Sequence, residues 1–188
     1  MKTAVLSRPP AGEIILTYDD YAAIPNDGKR YEIIEGDILM SPAPRPKHQK
    51  AIGNLYWVIR TYLEEHPIGE IYLSPIDVIL SYTNVVQPDL LFLSEKKRHL
   101  VGERGIEGPP DLIVEVLSPT TEKTDRITKS NLYAKFGVSH YWLIDPETKQ
   151  LEMFRLFRGH FRSLPPPKGK VTSDLFDGIS FNLADLFR

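Results

Sequence analysis

The chain contains no cysteine. Disulfide staples, thiolate zinc centres and cysteine nucleophiles are therefore excluded, and the composition fits a reducing compartment. A dominant charge is missing as well: 23 basic side chains face 25 acidic ones in 188 residues, a formal net charge of -2. The global electrostatic signature of a nucleic-acid binder is absent, so any basic surface must be local. No apolar stretch approaches the roughly 20 residues of a membrane span, and the first residues lack the apolar core of a signal peptide. The expectation is a cytoplasmic protein that makes no use of a membrane. The length suits one domain with a single well-buried core, spanning residues 1–188, with residues 1–12 as a loose arm marked by Pro9 and Pro10.

What is present is a set of short periodic segments. Thr17, with Asp20 three residues later, reads as the capping box of a short helix over Tyr18 to Ala23 that Pro25 ends. Tyr31 to Ile34 and Asp37 to Met40 read as a hairpin turning at Glu35-Gly36. After a proline-rich connection from Ser41 to Pro46, Ile52, Leu55, Tyr56, Ile59, Tyr62 and Leu63 form the apolar stripe of a helix from about His48 to Glu65. Strands follow at Glu70 to Leu73, Ile76 to Ser81 and Asp89 to Leu93, with a turn at Thr83-Asn84, and then a loop from Ser94 to Pro110. The continuous run Leu112 to Leu117 predicts a central strand buried on both faces. A helix from about Thr124 to Phe136, capped by Gly137, precedes a hairpin of Tyr141 to Asp145 and Leu151 to Leu156. The fold class is α/β (α+β), a central mixed β-sheet flanked by helices.

Two of these apolar runs carry an acid. Asp89 opens Leu90-Leu91-Phe92, and Glu115 stands between Val114 and Val116 in the predicted central strand. A buried carboxylate requires pairing, hydrogen bonding or a cation. Hard divalent cations take oxygen ligands, and Mg²⁺ uses one or two protein carboxylates while keeping several waters. Asp89 and Glu115 meet that demand, and the Val116 carbonyl could add a ligand. Lys129 on the following helix could orient a water or stabilise a phosphate, and Tyr133, one turn on, points the same way.

The residues that carry these features, in order, are Tyr31-Glu32-Ile33-Ile34-Glu35-Gly36, His48-Gln49, Gln87-Pro88-Asp89, Glu115-Val116-Leu117-Ser118-Pro119, Asp125-Arg126, Lys129, Tyr133, Gly137-Val138 and Tyr141-Trp142-Leu143-Ile144-Asp145. Together they resemble the Uma2 family of restriction-endonuclease-like proteins, within the PD-(D/E)XK nuclease superfamily, over about residues 13 to 160. The resemblance implies a restriction-endonuclease-like core, DNA as substrate, and Mg²⁺ or Mn²⁺ as cofactor. It places the superfamily's aspartate on Asp89 and its second acid on Glu115. The superfamily lysine normally stands two residues after that acid, where this chain has Leu117; the resemblance moves the role to Lys129. Cutting both strands of a duplex implies a homodimer by analogy.

Each residue also has a plainer reading. Asp89 could cap a strand, Lys129 could pair with Asp125 at i,i+4 on a solvent-facing helix, and Asp125 could be an ordinary acid of a helix start. Glu32 reads as an exposed strand position that the resemblance raises to a supporting acid, and His48 as a core histidine at a helix start or a group near the metal. Tyr133 and Trp142 are most simply core aromatics. Lys96-Lys97-Arg98-His99 with Arg104 reads as a solvated loop or a contact for a DNA backbone. At the level of the whole protein, the alternative to a nuclease is a nuclease-derived module that binds without cutting. A third reading is an interaction protein whose acids only pair with buried basic groups.

Overall fold

The computed structural model describes residues 14–25 and 27–188, so the arm expected at 1–12 lies outside the described residues. The first helix, α1 (Tyr18–Ala22), starts at the expected capping box: the Thr17 side chain and the Asp20 backbone, and the Asp20 side chain and the Thr17 backbone, satisfy each other. The hairpin β1 (Arg30–Ile34) and β2 (Asp37–Ser41) turns at Glu35 and Gly36, both at positive φ (53° and 88°), as a tight two-residue hairpin requires. The long helix α2 (Pro46–Glu65) follows, with proline at its first position and Ala51, Ile52, Leu55, Ile59 and Leu63 as its buried face.

Strands β3 (Gly69–Leu73), β4 (Val78–Ser81), β5 (Asn84–Val86) and β6 (Leu90–Ser94) come next. The turn lies at Tyr82-Thr83, and Asn84, expected in it, begins a short buried strand instead. Its side chain explains the shift: Asn84 Oδ1 accepts the Glu35 N–H at 2.8 Å and ties the two turns together. The expected loop after β6 is folded into a 3₁₀ helix (Glu95–Leu100) and a small hairpin, β7 (Val101–Gly102) and β8 (Gly105–Ile106). The predicted central strand is β9 (Leu112–Val116), buried at every position. After it, the segment expected as one helix divides into a π-helical turn (Thr124–Lys129) and α3 (Ser130–Phe136), closed by Gly137 at φ 84°. The chain ends with β10 (His140–Asp145), β11 (Gln150–Phe157), β12 (His160–Ser163), the ribbon β13 (Lys170–Thr172) and β14 (Ser180–Asn182), and a 3₁₀ turn.

The predicted mixed α+β architecture is present, with two large sheets instead of one. The first has the order β2-β1-β5-β4-β8-β7, the second β12-β11-β10-β9-β6-β3. In the second sheet β9 runs parallel to β10 and antiparallel to β6. Side chains alternate along β9. Leu112, Val114 and Val116 join the core formed with α2, while Ile113 and Leu117 join the core shared with the first sheet and α3. Glu115 has the parity of Ile113 and Leu117, so it points into the layer between the sheets.

Candidate active site

Glu115 is 4% exposed in this inter-sheet layer, and its neighbours come from three separate elements. Glu32 alternates with Ile34 on β1 and enters from the opposite sheet. Asp125 and Lys129 come from the π-helical turn, and both are buried there. Lys129 Nζ lies 2.9 Å from Glu32 Oε1, 3.0 Å from Glu115 Oε1 and 3.7 Å from Asp125 Oδ1. The expected i,i+4 pair with Asp125 therefore exists, but it is the longest of the three contacts. The Tyr133 hydroxyl donates to Glu115 Oε1 at 2.8 Å, one turn beyond Lys129. Tyr133 is both a core aromatic, 0% exposed, and a member of the site.

Asp89 sits where β6 begins, against the end of β9. Its Oδ2 accepts the Val116 N–H at 2.8 Å and lies 3.0 Å from His48 Nε2, while Oδ1 is 3.9 Å from Arg30 Nη1. The N–H and C=O of one β residue point to the same side of the strand. With the Val116 N–H on Asp89 and the Leu117 N–H on Ile144 of β10, the Val116 carbonyl faces the Asp89 side. Leu117, at the usual lysine position, is buried in the core. All the candidates named from sequence are thus brought together: Asp89, Glu115, Lys129, Val116, Glu32, His48, Asp125 and Tyr133.

Four buried carboxylates stand here: Glu32, Glu115 and Asp125 share the buried Lys129 ammonium, and Asp89 faces His48 and Arg30. Burial pushes the Glu115 carboxyl well above the usual range; Lys129 opposes the rise, and the charges of Asp125, Asp89 and Glu32 add to it. Asp125 is pushed up to about 6, again mainly by burial, with Lys129 and Thr121 pulling it down. Burial alone would lower the Lys129 ammonium, but Glu115, Glu32 and Asp125 outweigh it and raise its hold on the proton. The two directions are compatible because acids exceed bases: the lysine keeps its charge, and the surplus carboxylate charge favours a further proton or a cation.

A cleft of about 170 Å³ opens onto this cluster, lined by Asp89, Glu115, Val116, Asp125 and Lys129 at its floor and by the Ser41 to Arg45 segment and Pro146 at its walls. Two polar atoms of lining residues, His48 Nδ1 and Gln87 Oε1, are buried without a hydrogen-bond partner among the described residues. The donors open to a divalent cation are Asp89, Glu115 and the Val116 carbonyl. No cluster of three or more His, Asp or Glu side chains among the described residues is arranged to hold a cation. Two carboxylates and one carbonyl still fit Mg²⁺, which fills its octahedron with water and phosphate oxygens.

The basic loop is not part of the cleft. Lys97 pairs with Asp111 at 3.2 Å, Arg98 with Glu70 at 3.5 Å and Arg104 with Glu107 at 3.1 Å. Sequence reasoning passed over two residues. Arg30 approaches Asp89, and the Gln87 N–H donates to Glu32 Oε1 at 2.7 Å, fixing the acid that holds Lys129. The Gln87-Pro88-Asp89 tripeptide was the available signal for the second; Arg30, at a strand start, gave none.

Comparison with known proteins agrees with this architecture. No curated protein matches the chain. A solved structure from Anabaena variabilis, described as a "putative nuclease belonging to DUF820", superimposes with a TM-score of 0.76 at 24% identity, covering 92% of this chain and 97% of that one. That likeness establishes the fold. No helix among the described residues is long and apolar enough to cross a membrane. Residues 18–184 match Uma2, described as "Putative restriction endonuclease", and the chain belongs to that family.

Proposed function

We propose that the chain is a metal-dependent nuclease that hydrolyses DNA phosphodiester bonds. Asp89, Glu115 and the Val116 carbonyl would hold Mg²⁺ or Mn²⁺, which when bound neutralises charge on the phosphate and acidifies a water. The observation that carries the reading is the surplus of carboxylate over ammonium charge at the floor of an open cleft. Tyr133 and Lys129 fix Glu115, leaving the Lys129 ammonium beside the acids to orient a water and meet negative charge on phosphate. Glu32, itself held by the Gln87 N–H, fixes Lys129, and His48 orients Asp89. A homodimer, giving one site per strand, belongs to the same reading.

The second reading, a nuclease-derived module that binds without cutting, has one observation in its favour. Lys129 is 5% exposed and already meets three carboxylates, so it has little left to offer a substrate. Calorimetric titration of Mn²⁺ into wild type, Asp89→Ala and Glu115→Ala, followed by cleavage of plasmid DNA, separates the two. The nuclease reading expects binding that both substitutions abolish, and cleavage that Lys129→Ala abolishes. Metal-dependent cleavage that Asp89→Ala and Lys129→Ala leave unchanged would sink it.

A further inference from the structure

We infer that Arg30 is the phosphate-binding residue of the cleft, holding a backbone phosphate of the nucleic acid beside Asp89. The inference rests on the nucleic-acid reading above and extends it to a residue outside the acid and lysine set. Arg30 opens β1 two residues before Glu32, so both side chains leave the same face of the strand. Its guanidinium donates to Ser74 Oγ at 2.6 Å, which fixes the head group, while the side chain remains 26% exposed. Asp89 Oδ1, at 3.9 Å from Nη1, is close enough for attraction but too far to consume a donor. Of the five N–H donors of a guanidinium, hydrogen bonds among the described residues use one.

The location matters as much as the donors. A second cleft, of about 160 Å³, runs past Ser74 and Pro75 and shares Arg30, Pro44, His48 and Asp89 with the first. Arg30 therefore stands where the two meet, so that a chain of phosphates following both clefts passes the guanidinium next to the acids. A planar, permanently charged fork suits phosphate oxygens there. Of the other lysines and arginines lining the first cleft, Lys47 is bound to Glu147 at 2.8 Å, Lys129 is enclosed by carboxylates, and the exposed Arg45 does not line the second cleft, which leaves Arg30 as the one that lines both. The competing account makes Arg30 only a counter-ion to Asp89.

The test measures binding of a fluorescein-labelled random-sequence DNA duplex by anisotropy, with Ca²⁺ in place of Mg²⁺, across a salt series. Arg30→Met keeps the stem, Arg30→Lys keeps the charge, and Arg60→Ala alters a basic residue on the exposed part of α2. The expected result is at least tenfold weaker binding for Arg30→Met, with the slope of log affinity against log salt reduced by about 0.9. Arg30→Lys should retain the slope while binding severalfold more weakly, and Arg60→Ala should match wild type. Titration of Mn²⁺ alone into Arg30→Met verifies that Asp89 and Glu115 remain in place. A wild-type slope in Arg30→Met, with Mn²⁺ affinity raised, assigns Arg30 to the counter-ion role and overturns the inference alone. Failure of the wild type to bind the duplex overturns both this inference and the nuclease reading.

Discussion

Replacing Lys129 by methionine removes the single ammonium from a pocket where Glu32, Glu115 and Asp125 stand at 2.9, 3.0 and 3.7 Å from it. The shape is kept, so the cost is electrostatic. Breaking a buried ion pair by deleting one partner costs roughly 3–5 kcal/mol, because the remaining charge is left uncompensated. The acids limit that cost by taking up protons, which makes it depend on pH. An acid whose pKa is higher folded than unfolded leaves stability intact at low pH, where both states are protonated. Stability is then lost as pH rises from the ordinary carboxylate range through the raised folded value. Burial already raises Glu115 and Asp125, and without Lys129 both rise further. The lysine's own hold on its proton is raised, so it stays charged and its own titration adds no pH dependence below the ordinary lysine range. The deficit of Lys129→Met should thus be about 3–5 kcal/mol near pH 8 and shrink markedly near pH 5. Urea denaturation of both proteins at the two pH values measures it. A deficit below about 1 kcal/mol at the higher pH, or an equal deficit at both, would refute the account of a carboxylate surplus held by one cation.

Tyr133→Phe deletes a hydroxyl that donates to Glu115 at 2.8 Å and should cost about 1.5–3 kcal/mol in urea denaturation, the worth of a hydrogen bond to a charged group. Asp125, raised from 3.8 to about 6, should make wild-type stability fall as pH rises through that window; Asp125→Asn should flatten the profile of urea midpoint against pH there. Gly69→Ala tests the packing of β3 on β6, since a Cβ would run into the Leu93 carbonyl and lie 2.7 Å from the Phe92 ring; a thermal melt should register a loss of about 1–3 kcal/mol.

The strands and the acids were legible in the sequence for the same reason. An acid such as Glu115 in Val114-Glu115-Val116 breaks an apolar run, and a run buried on both faces leaves such an acid no route to water. Glu32 was harder. Its hairpin alternates as if one face met solvent, yet Glu32 is 2% exposed because the second sheet covers that face, a contact between segments far apart in sequence. Another contact between distant segments, the Glu35 N–H on Asn84 Oδ1, turned Asn84 from a turn residue into a strand residue. Arg30 and the short strands β7, β8 and β12 carry no periodic signal, since two to four residues are too few to set a period.

The displaced lysine stands on a face that helical spacing defines, and the structure adds a local turn that periodicity does not reveal. At 100° per residue Asp125, Lys129, Leu132, Tyr133 and Phe136 fall within about 100° of one another, while Ile127 points to the opposite side. Along this face the structure opens one π turn, in which the Ser130 N–H reaches back to the Asp125 carbonyl, five residues away. The structure keeps that division, with Ile127 53% exposed and Asp125 and Lys129 buried at 3% and 5% exposure. The Asp125 carbonyl also accepts the Tyr141 hydroxyl at 3.0 Å, so an oxygen loosened by the wide turn gains a second donor from β10. The segment thus buries an ion cluster and leaves an isoleucine in solvent, against hydrophobic preference, an arrangement that points to a use for the cluster other than stability. Lys129 meets Glu115 from the helix while Leu117 stays with the core, so the helix face shared with Tyr133 is what keeps a lysine beside the strand acids without one on the strand.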